Sequence, residues 1–166
     1  DVQANTSNGA VAIAGIQGAV TIGTSNGEVV LQDTVGDVRA TTSNGRIAVE
    51  RSFGVLTLAT SNGEIRVLDA TAALDATTSN GPIVFRGTPV GMDNSLHTSN
   101  GSIDVTIPVA ASVQFIARTS VGSIRASMPL VGDTDGKEWN ATLNPPASAA
   151  VTIRTSNGSV RLGTSP

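Results

Sequence analysis

Thr42-Ser43-Asn44-Gly45-Arg46-Ile47-Ala48-Val49-Glu50 is followed, eighteen residues on, by Thr60-Ser61-Asn62-Gly63-Glu64-Ile65-Arg66-Val67-Leu68. The tetrapeptide Thr-Ser-Asn-Gly occurs seven times, at Thr6–Gly9, Thr24–Gly27, Thr42–Gly45, Thr60–Gly63, Thr78–Gly81, Thr98–Gly101 and Thr155–Gly158. An eighth copy, Thr119–Gly122, has Val121 in place of Asn. The first five copies start 18 residues apart, the next two steps are 20 and 21, and the last is 36, two periods. A fixed period of this size is the signature of a stacked repeat architecture.

The residues around each copy alternate. Two positions after the glycine stand Val11, Val29, Ile47, Ile65, Ile83, Ile103, Ile124 and Val160, and four positions after it Ile13, Leu31, Val49, Val67, Phe85, Val105, Ala126 and Leu162. The positions between are mixed, with Ala48, Arg66, Asp104 and Arg161 among them. Two residues before the motif threonine are Ile22, Ala40, Leu58, Ala76, Leu96, Ala117 and Ile153. Four before it are Val20, Val38, Leu56, Leu74, Asn94, Phe115 and Val151. Period-2 alternation is the mark of a half-buried strand. Each period therefore predicts two short strands joined by one constant turn and one variable turn.

Two architectures fit this unit: a β-solenoid with one coil per period, or a meander with Asn-Gly hairpin turns. The sameness of the repeats favours the solenoid, in which like residues stack on like. A meander would expose a wide apolar face and need a second layer that the chain does not supply. The expected fold is an all-β, single-stranded β-helix of about 18 residues per coil, in one domain spanning 1–166. Regular coils are expected over 6–86 and irregular coils over 87–126. A degenerate coil or loop is expected over 127–150, with Trp139 covering its end, and a closing coil over 151–162.

Composition agrees. The chain has three Phe, one Trp and no Tyr, so its core must be built from short branched side chains, which favour strands. No window has a 3.6-residue apolar period. The net charge of −3 and the lack of a basic patch with interleaved aromatics argue against nucleic acid as partner. No apolar run is long enough to span a membrane as a helix. Cysteine is absent, which removes disulfides and thiolate metal sites. The sequence starts inside the repeat, the expected mark of a chain trimmed from a longer product, and shows no signal peptide.

Repeated Thr-Ser-Asn-Gly-x-[Ile/Val]-x-[Val/Leu], with a second strand returning to Thr-Ser, resembles the bacterial adhesin domain called Toastrack. The closing Ile153-Arg154-Thr155-Ser156-Asn157-Gly158-Ser159-Val160-Arg161-Leu162 looks like that family's last coil. The resemblance implies a right-handed β-helix displayed in the cell envelope or outside the cell, meeting a protein or glycan there. It supplies no catalytic residues.

Candidate sites are few. The column Asn8, Asn26, Asn44, Asn62, Asn80, Asn100 and Asn157 could present a polar edge to a repetitive ligand. Its structural reading is that Asn tolerates positive φ and that its amides bond along the stack. Gly9, Gly27, Gly45, Gly63, Gly81, Gly101, Gly122 and Gly158 then stand where a Cβ would clash. Together these residues are expected to form a structural turn ladder, with the motif threonines closing each strand. The outward positions Thr21, Arg39, Thr57 and Asp75 are too mixed for an ice-binding threonine array. Asp133-Thr134-Asp135-Gly136 matches half of a calcium loop, but Lys137 takes the third-ligand position and Asn144 the twelfth, so Asp133–Glu138 reads as a solvated turn. His97 is the only histidine, and no nucleophile–base set accompanies it. No catalytic, metal or cofactor residues are therefore expected.

A non-enzymatic surface module is the leading expectation. The alternatives are a carbohydrate-processing β-helix enzyme, which needs paired carboxylates in a cleft, and a scaffold that self-associates through its open ends. Any function is expected where the repeat varies, in Gly87–Ser95 and Ser127–Ala150.

Overall fold

The computed structural model describes all residues, Asp1–Pro166, and contains strands and turns without helix. The seventeen strands are β1 Val2–Thr6, β2 Val11–Ala14, β3 Val20–Thr24, β4 Val29–Gln32, β5 Val35–Thr42, β6 Ile47–Glu50, β7 Phe53–Thr60, β8 Ile65–Thr78, β9 Ile83–Pro89, β10 Gly91–Thr98, β11 Ile103–Pro108, β12 Val113–Val121, β13 Ile124–Ala126, β14 Val131–Asp133, β15 Glu138–Leu143, β16 Ala149–Asn157 and β17 Val160–Ser165.

They form a flattened β-solenoid. Residues one period apart sit side by side in parallel register, as in Val20↔Val38, Leu56↔Leu74 and Val29↔Ile47. One face stacks β1, β3, β5, β7, the second half of β8, β10, β16 and β12. The other stacks β2, β4, β6, the first half of β8, β9, β11, β17 and β13. β8 runs through the corner and belongs to both. The inward rows of the two faces meet in one core of Val, Ile, Leu and Ala, with Phe85 and Phe115 as its largest members. The first coil is only half buried, at Val2, Ala4, Val11, Ile13 and Ile16, because no coil lies on its outer side.

The rungs do not follow chain order. After β11 the chain skips a level, and β12–β13 form the eighth rung. β16–β17 then return to fill the seventh, bonded to β10–β11 below and to β12–β13 above. The coil expected to close the stack is therefore its penultimate rung. Nor does the 127–150 segment form a coil. β14 and β15 make an antiparallel hairpin, and β15 pairs antiparallel with β12, which prolongs one face alone. Pro129, Pro145 and Pro146 interrupt the segment, and each lacks the N–H that a parallel rung would need. Asp135-Gly136 (φ 67° at the glycine) turns the hairpin instead. Trp139 lies opposite Ala117 and packs against this end of the core.

The variable corner carries the backbone strain. Asp33, Arg51 and Asp69, one period apart, have φ of 53°, 49° and 53°. Arg51 grips Asp33 through two bonds, Nε to Oδ1 at 2.7 Å and Nη2 to Oδ2 at 3.0 Å. That hydrogen bonding holds the Asp33 carboxyl below its usual range and raises the Arg51 guanidinium.

Candidate functional site

The Asn column is a continuous ladder. The side-chain amide of each Asn donates to the Oδ1 of its neighbour, from Asn26 to Asn8 (2.9 Å) through Asn44, Asn62, Asn80 and Asn100 to Asn157, whose bond to Asn100 is 2.8 Å. Above Asn157 sits Val121, so the ladder ends there. The copy that departs from the motif is the top rung. None of these asparagines has positive φ, which corrects the expectation that Asn is needed for backbone conformation. Its role is the side-chain amide, which can both donate and accept along a stack.

Above the first coil, the motif glycines are required by close approach to the coil below. A Cβ on Gly45 would lie 1.8 Å from the carbonyl oxygen of Gly27, and one on Gly158 1.9 Å from that of Gly101. A second ladder lies inside the first. The Thr42 Oγ1 accepts the Gly45 N–H at 3.2 Å and donates to the Gly27 carbonyl at 3.2 Å. Thr60, Thr78, Thr98, Thr155 and Thr119 donate to glycine carbonyls in the same way. The Thr, Asn and Gly of the motif are thus engaged in holding coils together, while its serine side chains face outward.

The rung insertion creates something else. It places the irregular first half of β10 and the β14–β15 hairpin on either side of β16, on one outer face. Two adjoining hollows result, of about 530 Å³ and about 310 Å³. The first is lined by Met92, Asp93, Asn94, Ser95, His97, Thr152 and Arg154, the second by Ile116, Arg118, Asp133, Glu138, Trp139, Asn140 and again Arg154. Arg154 is the common wall.

The floor is braced. Asn94 is buried in a row of apolar residues, where the register slips between Gly91 and Asn94. Its Oδ1 accepts the Leu74 N–H at 2.9 Å, and its Nδ2 donates to the carbonyls of Gly91 and Ala150 at 2.9 Å and of Val90 at 3.2 Å. One side chain thereby replaces the backbone bonds that the bulge removes. On the hairpin side, Arg118 Nη2 meets Glu138 Oε1 at 2.6 Å, and Gln114 Nε2 donates to Asn140 Oδ1 at 2.8 Å. Asp133 Oδ1 accepts the Asp135 N–H at 3.1 Å, which shapes the hairpin turn. The Trp139 Nε1–H is shielded and meets no acceptor in the chain. Arg154 makes no ion pair, as is true also of Arg39, Arg86 and Arg125, whereas Arg66 pairs with Glu64 and Arg161 with Asp104.

Sequence reasoning located both irregular segments but not their convergence, which depends on the order of the rungs. The signal was present in Val121: a ladder residue missing from one copy marks the end of a stack.

Coils in register and a groove made by their one interruption define a repeat protein of the β-solenoid class. The chain belongs to the Toastrack DUF4097 family, whose model matches residues 1–163. No curated protein matches it. A crystal structure from Clostridium sporogenes ATCC 15579, described as a "putative cell adhesion protein", aligns with 90% of this chain and 57% of its own length, at 9% identity and a TM-score of 0.37. This chain thus spans little more than half of that protein.

Proposed function

We propose that this chain is a non-enzymatic module of the bacterial cell envelope or cell surface that engages a protein or glycan through the groove centred on Arg154. Family membership supports the setting, and the observation that carries the reading is the convergence of both irregular segments on one braced, polar hollow. No helix is long and apolar enough to cross a membrane. A carbohydrate-processing enzyme would need a free acid–base pair here. Glu138 is held by Arg118, and Asp93 and Asp133 stand in separate hollows on either side of Arg154, which supports binding over turnover.

Binding of the labelled protein to intact bacterial and host cells tests the reading, with Thr152→Trp filling the groove. Loss of cell binding in the folded variant is expected. Equal binding by both proteins would refute the groove, and release of reducing ends from a polysaccharide panel would refute the non-enzymatic role.

A second reading, end-to-end self-association, is favoured by the outer edge of the first coil. β1 and β2 carry no charge and no proline there, the usual protections of an edge strand.

A further inference from the structure

Taking the groove as the binding site, we propose that its ligand is a saccharide bearing isolated carboxylates among hydroxyls, a glycan containing a sugar acid. The argument starts with Arg154. Arg46, Arg51 and Arg161 each pair with a carboxylate one rung away, Glu28, Asp33 and Asp104. Arg154, like Arg39, Arg86 and Arg125, has no ion pair, and it alone of these four lines both hollows. Opposite charges on adjacent strands are the stabilising arrangement, and like charges the destabilising one. The rung neighbours of Arg154 are His97 on β10 and Arg118 on β12. Neither is acidic, and Arg118 is already bound by Glu138. An exposed guanidinium is left between two hollows with its planar fork free. That fork matches a carboxylate in bidentate geometry.

The rest of the groove narrows the class. Asp93 stands in one hollow and Asp133 in the other, so a densely charged polyanion would meet repulsion on both sides of Arg154. A ligand with one carboxylate flanked by neutral hydroxyls would not. Its hydroxyls can donate to those two aspartates and accept from Ser95, Thr152 and Asn140, which line the same surface. Met92 and Ile116, both exposed at the groove, offer flat apolar contact to the C–H face of a sugar ring. A peptide added as an extra strand is disfavoured, because both edges of β16 are occupied by β10 and β12.

The test is calorimetric titration of the full chain with two probes whose carboxylates are isolated, a hyaluronan hexasaccharide and sialyllactose. The comparison ligands are the same probes with their carboxyl groups reduced to alcohols, a heparin fragment and an oligoglutamate peptide. At least one acidic probe should bind. Arg154→Gln should weaken it at least tenfold, and Arg39→Gln, on the same face outside the groove, should leave it within twofold. The carboxyl-reduced form should lose binding by a similar factor. Equal affinity for the reduced probe, or tighter binding of heparin or oligoglutamate, would overturn the proposal. So would an Arg154→Gln affinity within twofold of the parent, or no binding by any sugar acid. In that last case cell binding blocked by Thr152→Trp would still stand, so failure of the ligand class is separable from failure of the groove.

Discussion

Replacing Gly45 with Ala isolates the contact on which the stacking depends. The new Cβ would sit 1.8 Å from the Gly27 carbonyl oxygen and 2.5 Å from its carbon, both backbone atoms with no side-chain torsion to relieve the overlap. The two coils must therefore separate locally by more than an ångström. Three hydrogen bonds cross or brace that contact: Thr42 Oγ1 to the Gly27 carbonyl, the Asn44 amide to Asn26 Oδ1, and the Gly45 N–H to Thr42 Oγ1. Weakening these at about 1 kcal/mol each, added to an overpacking cost of about 1–3 kcal/mol, predicts a loss of roughly 4–6 kcal/mol. That is a large share of the ~5–15 kcal/mol that holds a domain folded. Gly9 is the matched control. It has the same motif and likewise lacks positive φ, but its Cβ would meet only Thr6, at 3.3 Å. Gly9→Ala should be neutral or stabilise by up to about 1 kcal/mol through the unfolded chain. Urea unfolding followed by far-ultraviolet circular dichroism measures both. A difference of less than about 1 kcal/mol between the two variants would refute the close-approach account, given what ordinary surface substitutions cost.

Four further outcomes are expected. Asn44→Ala removes two ladder bonds and Asn8→Ala one, so the former should cost about twice as much, near 1–2 kcal/mol in the same unfolding assay; equal costs would deny that the ladder contributes. Asn94→Leu leaves the Leu74 N–H and the Ala150 carbonyl without their partner and should cost about 3 kcal/mol or more, a value that a loss below 1 kcal/mol would contradict. In Arg51→Gln the Asp33 carboxyl should titrate closer to its ordinary value, as followed by carboxyl-carbon NMR. Because its folded value lies below the unfolded one, its stabilisation is present above the unfolded value and lost as pH falls through the folded one; an unmoved titration would show that Arg51 is not the cause. Sedimentation should show association that rises with concentration. Gln3→Pro should abolish it, since the Val2 N–H points to β3 and that of Gln3 to the free edge; a monomer at every concentration would exclude the end-to-end reading.

The inside and outside of nearly every strand were legible in the sequence, because two periodicities had to agree. A residue such as Ile47 or Leu58 is apolar at period 2 along its strand and again at period 18 along the stack. The order of the rungs was not legible, because the copies are interchangeable by design of the repeat. Ile153 lies between Leu96 and Ala117, but the same apolar position recurs in every coil, so local pattern cannot say which two neighbours it takes, and only Val121 broke the tie. The groove was invisible for the same reason: His97, Arg154 and Arg118 lie far apart in the chain and become neighbours only through the inserted rung. The left-handed conformations fall on Asp33, Arg51, Asp69 and Asn144. Asp and Asn tolerate this region, but Arg51 does not favour it, and there its pairing with Asp33 holds the corner in place of glycine.

The inserted rung also sets an order in time. A chain released from its N-terminus can add coils as they emerge, each closing on a partner about one period behind it, as Asn44 closes on Asn26 and Asn62 on Asn44. That sequence stops at β11. β12 cannot settle in its final place until β16 arrives, and β16 brings contacts such as Asn157 to Asn100, 57 residues apart. Long separations are slow to close. A partly delivered chain is thus a finished stack with a one-coil gap above it, and the groove around Arg154 does not exist until the final segment has entered that gap. On the proposed reading, binding waits for β16 and β17, and a chain cut short before them would keep most of its fold while lacking the groove.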